Sequence, residues 1–254
     1  MNRIRVEHTG PVRTITLARP EKRNALDRAM LDELEAAFAE PPGANDRVAV
    51  IRAEGPVFCA GLDLSERLAG GRVQTGESPV ETMLHAVEAY PLPVVAIVQG
   101  DAIAGGCELA LHADFVVASS TARFGMSLAQ IGLAPTWFLA KKLLEVAGPV
   151  AAREILLLGD PVPAPRMGEL GLIGRVETPE HLEEAARRVI GRLAANAPLS
   201  LRAIKALLVR EMAFRDGIPH DDVDALVDQA RTSEDAREGM KARLEKRAPH
   251  FHGR

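Results

Sequence analysis

Leu92-Pro93-Val94-Val95-Ala96-Ile97-Val98-Gln99-Gly100-Asp101-Ala102-Ile103-Ala104-Gly105-Gly106-Cys107-Glu108-Leu109-Ala110-Leu111 reads as a buried strand, a glycine-bearing turn and a helix in succession. The apolar run Leu92 to Val98 predicts the strand, and Leu109, Ala110 and Leu111 predict the helix. A glycine pair at such a junction lets the backbone approach a ligand closely. The free N–H groups of the helix start favour an anion, or an oxygen that becomes anionic during a reaction. Glu108 follows Gly105 by one helical turn, on the same side as that N–H. A proton-transfer group beside an oxyanion donor is the minimum that enolate chemistry needs. Two plainer readings stand beside this one: Gly105-Gly106 also fits an ordinary tight turn, and Glu108 a solvated helix position. The apolar neighbours Leu109, Ala110, Leu111 and Ala113 count against the second. Gly106-Cys107 stands where a P-loop requires Lys-Ser/Thr, and neither GxSxG nor GxGxxG occurs.

Composition bounds the rest. The chain has 254 residues, 47% hydrophobic, with a formal net charge of −4, as expected of a soluble globular protein. Mild acidity argues against nucleic-acid binding. No apolar run approaches the roughly 18 residues of a membrane span, and Met1 to Val6 enters a strand pattern without a signal-peptide core. The two cysteines, Cys59 and Cys107, make no disulfide framework and suit buried thiols in a reducing cytoplasm. The 7 histidines show no metal spacing, and His250-Phe251-His252 reads as a solvated tail.

Outward from the central stretch, Val6 to Leu17 predicts a strand pair turned at Thr9-Gly10-Pro11. Asn24 is placed to cap the helix carrying Leu26, Met30, Leu34 and Phe38. Val48 to Arg52 and Phe115 to Ala118 are short strands, and the Gly-rich stretch Gly70 to Pro79 reads as a mobile loop. Lys141 to Leu158 is helical, and the pattern from His181 is helical almost to the end. Strand–helix alternation followed by helices predicts an α/β core with a helical C-terminal appendage. Phe58-Cys59-Ala60-Gly61-Leu62-Asp63-Leu64 forms a second small-residue turn after a strand, where Asp63 also suits a simple cap of the next turn.

Together these segments resemble the crotonase, or enoyl-CoA hydratase/isomerase, superfamily. The resemblance rests on Arg19 to Leu26, Phe58 to Leu64, Gly105 to Ala110, Ala122-Arg123-Phe124-Gly125, Glu238 to Lys241 and Lys246 to Phe251, in that order. It implies a spiral of ββα units over about residues 1–190. It also implies a helical region, about 191–254, that assembles a homotrimer or a dimer of trimers. The substrate would be an acyl-CoA thioester, with coenzyme A arriving as part of it, no further cofactor and no metal. By motif position the thioester oxygen would sit between the backbone N–H groups of Leu62 and Gly105. CoA would lie near Lys22, Arg23, Ala25, Leu26, Ala60, Asp63 and Leu64. Lys241, Lys246 and Arg247 suit either CoA phosphates or a solvated helix end.

The resemblance makes Glu108 the catalytic acid/base. Hydratases of the family carry a second glutamate, whose place is taken here by Leu128, and no Asp or Glu occurs between Arg123 and Lys141. Ser127, Leu128 and Trp137 would line the acyl pocket, Trp137 as packing or as a stacking surface. Glu66, Glu77, Glu81 and His85 are candidates for a displaced second acid. The sequence therefore predicts an enolate-stabilising acyl-CoA enzyme in which standard hydration is in doubt. Isomerisation, decarboxylation, thioester hydrolysis and binding without turnover remain as alternatives.

Overall fold

The structure is a computed structural model and describes residues 2–69 and 78–254. Its frame is a six-stranded sheet. Strand β1 (Ile4–Thr9) pairs antiparallel with β2 (Val12–Leu17). Parallel partners follow in the order β3 (Val48–Ala53), β4 (Val94–Val98), β6 (Phe115–Ser119) and β9 (Arg175–Glu177). A second sheet joins β5 (Ala102–Ile103), β7 (Arg123–Gly125) and β8 (Val162–Pro163). A parallel bridge from Cys59 to Ala102 extends it. Three of the long strands, β3, β4 and β6, thus pass into a short extended segment of the second sheet and then towards a helix. β4 leads through β5 to α4 (Gly105–Leu111), and β6 leads through β7 towards α5 (Trp137–Arg153). This is the repeated ββα spiral.

Alternation along the strands divides the core. Ile15, Leu17, Ala49, Ile51, Val94, Ala96 and Val98 face the cluster built with α1 (Arg28–Ala39), α3 (Pro79–Ala89) and α4. Val48, Val50, Val95, Ile97 and Val117 face the other way, onto Leu182, Ala185, Ala186 and Leu193 of α7 (Leu182–Ala195). Helix α7 therefore covers one face of the sheet and runs through the predicted boundary at residue 190. Beyond it lie α8 (Pro198–Met212), α9 (Asp221–Thr232) and α10 (Glu234–Glu245).

Several local expectations are corrected. Asn24 does not cap α1; Asp27 does, accepting from the Met30 amide at 2.9 Å. Asn24 instead accepts from the Arg19 amide and donates to the Glu54 and Val57 carbonyls, fixing the turn from within. Helix α5 starts at Trp137, four residues before Lys141, and kinks where Gly148 takes φ 67° ahead of Pro149, which has no N–H for the helix ladder. A wide π-type turn, Glu154–Leu158, follows. Of the stretch read as a mobile loop, Gly70 to Pro79, residues 70–77 lie outside the described residues, Glu77 among them, and Pro79 opens α3. On α10, of the helically spaced Ala236, Met240 and Leu244, the first two pack within the chain on Ile131, Leu133, Leu64, Leu68 and Leu128, while Leu244 is exposed.

One polar clamp holds α8 to the sheet. Lys205, 8% exposed, donates to the Asp114 carboxylate at 2.7 Å and to the Leu92 carbonyl at 3.2 Å. Asp114 also accepts from the Val94 amide at the head of β4. Burial lowers the Lys205 pKa, and Asp114 opposes that shift. Asp114→Ala strands a buried ammonium, so we expect a loss of about 3 kcal/mol in urea unfolding. Adding Lys205→Met should recover part of it.

Candidate active site

The two turns singled out in the sequence meet. Leu26 and Leu62 form a parallel bridge: the Leu26 amide donates to Gly61 O, and the Asp63 amide to Leu26 O. The Leu62 amide is thereby turned away from Leu26. On the other side, Ile103 donates to Cys59 O, and Cys59 to Asp101 O. Among the described residues, neither the Leu62 nor the Gly105 amide donates to another backbone group. The approach is too close for side chains. A Cβ on Gly106 would stand 2.3 Å from Cys59 O, and one on Gly61, at φ 83°, 2.8 Å from Ile103 O. Ala104, just before α4, is held at φ 48° and ψ −117°, a costly conformation for a residue with a side chain.

Arg19 ties this region together. Its guanidinium reaches Ala25 O at 3.0 Å, Asp63 at 3.0 Å and the α1 cap Asp27 at 3.3 Å. Asp63 does act as a cap, receiving the Ser65 and Glu66 amides at the start of α2 (Leu64–Ala69). Burial pushes its pKa up, but the Arg19 bond and those amides outweigh burial and leave it lowered. No local signal in the sequence marks Arg19 for this role, because its partners lie at positions 25, 27 and 63.

Leu26, Leu62 and Asp63 line a groove of about 1330 Å³. Its far wall comes from the same chain, through Arg231 of α9 and Arg237 and Lys241 of α10, then Arg247 and His250. Lys22, Arg23, Ala25, Ala60 and Leu64 are not among its lining residues, and Lys22 and Arg23 are exposed. Arg247 is committed to Glu238 and Glu245. The tail is tied back through the His252 and Gly253 amides to Asp235.

Glu108 is fully buried, and among the described residues neither carboxylate oxygen has a hydrogen-bond partner. Burial pushes its pKa up to about 8; the charge of Lys142 works against the shift and that of Glu81 adds to it. It is therefore mostly protonated at neutral pH. His112, one turn on, donates from Nδ1 to the Glu108 carbonyl at 2.8 Å. Burial holds its pKa down at about 3, so it is a neutral imidazole and the 3.7 Å approach to Glu108 is not an ion pair. Ser127 is buried, and Leu128 packs partly buried between the main core and the α10 cluster. Trp137 stacks on His220 with ring centres 4.4 Å apart, while its Nε1 has no partner. Burial also pushes the Cys59 thiol up to about 12 and raises Cys107, so neither is a ready thiolate. Among the described residues, no group of three His, Cys, Asp or Glu side chains forms a metal site. Nor is any helix long and apolar enough to cross a membrane.

Comparison with known proteins agrees with this architecture. The sequence model of the enoyl-CoA hydratase/isomerase family matches residues 7–254. The 2,3-dehydroadipyl-CoA hydratase of Escherichia coli K12 is 32% identical, over 100% of both chains. A putative enoyl-CoA hydratase of Thermus thermophilus is 36% identical, over 95% of this chain and 98% of its own. Among solved structures, methylmalonyl-CoA decarboxylase complexed with 2S-carboxypropyl-CoA superposes with a TM-score of 0.92. It is 26% identical and covers 100% of this chain and 99% of that one.

The buried Glu108 makes stability depend on pH with a definite sign. Between the ordinary value of 4.5 and about 8, the folded protein keeps a proton that the unfolded chain has lost, so its stability falls as pH rises. Glu108→Gln lacks that proton equilibrium. Urea midpoints should therefore show the variant gaining on the parent across this window, by up to about 1.4 kcal/mol per pH unit. Below it the difference should be constant.

Proposed function

The chain belongs to the enoyl-CoA hydratase/isomerase family, within the crotonase superfamily, and from that footing we propose that it acts on acyl-CoA thioesters through an enolate. The meeting of the Leu62 and Gly105 amides, which among the described residues donate to no other backbone group, one helical turn from a buried carboxyl with no hydrogen-bond partner among those residues, carries this reading. The thioester oxygen would lie between the two amides. Each such donor contributes on the order of 3 kcal/mol in the transition state, because it is already oriented in a site that excludes water. Glu108 moves the proton at Cα. Its raised pKa suits both directions: the protonated form returns a proton to the enolate, and the ionised form removes one. CoA would run along the groove past Asp63 towards the basic wall of α10.

Thioester-enolate formation is shared by hydration, isomerisation and decarboxylation, and the close fold likeness to a methylmalonyl-CoA decarboxylase keeps the last in view. The reaction common to all is exchange of the Cα hydrogen with solvent. We expect the purified protein to exchange it in butyryl-CoA dissolved in heavy water, with kcat/KM rising towards a plateau above about pH 8. Glu108→Gln should lower exchange by about 10² or more while leaving thioester affinity within a few-fold. Exchange at the parental rate in that variant removes Glu108 from the chemistry.

The helical region also supports the proposal of a homotrimer or a dimer of trimers. Leu199, Leu207, Leu208, Phe214 and Leu226 of the α8–α9 region are each more than 60% exposed, a larger apolar display than a monomer normally carries. Light scattering should give a trimeric or hexameric mass; a stable monomer at micromolar concentration overturns this assembly.

A further inference from the structure

The family position of a second glutamate holds Leu128, yet the site has another buried carboxylate. Helix α3 presents Glu81, His85 and Glu88 at helical spacing on one face, and that face meets the first turns of α5. The Thr136 hydroxyl donates to Glu81, His85 stacks on Phe138 with ring centres 3.9 Å apart, and Lys142 pairs with Glu88 at 2.5 Å. Helix α4 closes on the same residues: His112 packs on Phe138 at 5.0 Å. Phe138 thus lies against two histidines, one from each helix. One turn before His85 on α3 is Glu81, and one turn before His112 on α4 is Glu108.

The four sequence candidates are now separated. Glu66 is exposed and accepts from the Arg28 amide, Glu77 lies outside the described residues, and His85 is engaged with Phe138. Glu81 is 8% exposed and follows directly on Ser78, Pro79 and Val80, which line the groove. Nearby Glu88 and Glu145 have lysine partners, Lys142 for both and Lys141 for Glu145. Among the described residues, the hydrogen bond to Glu81 comes from a neutral hydroxyl and reaches one of its two oxygens. Burial dominates the raised pKa of Glu108, and the charge of Glu81 adds to it.

We propose that Glu81 is the second catalytic carboxylate of this site and that it supports hydration of trans-2-enoyl thioesters, with Thr136 as its positioning residue. This rests on the enolate reading above. Ionised Glu81 takes a proton from water as the water oxygen bonds to Cβ. The electrons of the Cα–Cβ double bond pass into the thioester, giving the enolate. Protonated Glu108 then delivers its proton to Cα, and the product is the 3-hydroxyacyl thioester. Glu81 ends protonated and Glu108 ionised, and return of that proton between them restores the starting state.

The test compares two reactions in the same variants: hydration of crotonyl-CoA, which needs both carboxylates, and Cα exchange in butyryl-CoA, which needs Glu108 alone. The parent should do both. Glu81→Gln should lose hydration at least 30-fold more than it loses exchange, whereas Glu108→Gln should lose both together. Should Glu81→Gln fail to fold, Thr136→Val should show the same split and Thr136→Ser should restore hydration. Equal losses of the two reactions on changing Glu81, undiminished hydration, or a parent that exchanges without hydrating each overturn the role of Glu81 and leave the enolate reading standing. A parent that does neither reaction overturns both.

Discussion

A Cβ on Gly106 would stand 2.3 Å from the Cys59 carbonyl oxygen, inside any real contact distance, and the active region is built around that clearance. The Cys59–Ala102 bridge brings the end of one ββα unit against the start of the next, and only glycine admits the approach. With the two turns locked, Gly105 lies against the Leu62 amide, and the strain at Ala104 is supported by the hydrogen bond its N–H donates to the Gly125 carbonyl. The six-stranded sheet supplies the rigidity. Arg19, reaching Asp27 and Asp63 together, fixes the α1 cap and the Leu62 turn as one piece.

Much of this was legible in the sequence because it was written in local terms. The Val94–Val98 strand, the Gly105–Leu111 helix and the Cys59–Leu64 turn all follow from residue types and short spacings. What the sequence did not disclose depends on contacts between distant segments. Asn24 is a good cap residue by type, but its amide satisfies carbonyls 30 and 33 residues away, and Asp27 takes the cap. Ala236, Met240 and Leu244 share one spacing on α10, but only the first two find a partner in Ile131 and Leu133, which spacing alone does not tell. Glu81 stood among several acidic candidates until α5 brought Thr136 to it. Of the proposed CoA contacts, Leu26 and Asp63 line the groove, while Lys22 and Arg23 belong to a turn whose side chains face solvent.

The helices behind the turns carry an unusual density of buried polar atoms. Among the described residues, both Glu108 oxygens, His112 Nε2, Trp137 Nε1 and Glu145 Oε1 are buried without a hydrogen-bond partner, although such atoms ordinarily destabilise a fold by about 1–3 kcal/mol each. They gather on α4, its C-cap His112 and α5, around the carboxyl proposed to move the proton. The surrounding ion pairs, Lys142 with Glu88 and Lys141 with Asp216, hold the seam at the edges and leave its centre unsatisfied. A carboxyl that is costly to ionise moves protons near neutral pH, which an exposed glutamate does poorly.

The two amides proposed to hold the thioester oxygen belong to the main chain and are spelled by no particular codon. At Leu62 any replacement except proline keeps an N–H in place, so single base changes rarely delete it. The carboxylates are different: each is one residue, gained or lost in one step. A lineage can therefore discard an acid at one helix and recruit another from a neighbouring helix while the means of stabilising the enolate is inherited unbroken. Leucine at position 128 and glutamate at position 81 are what such a history would leave behind.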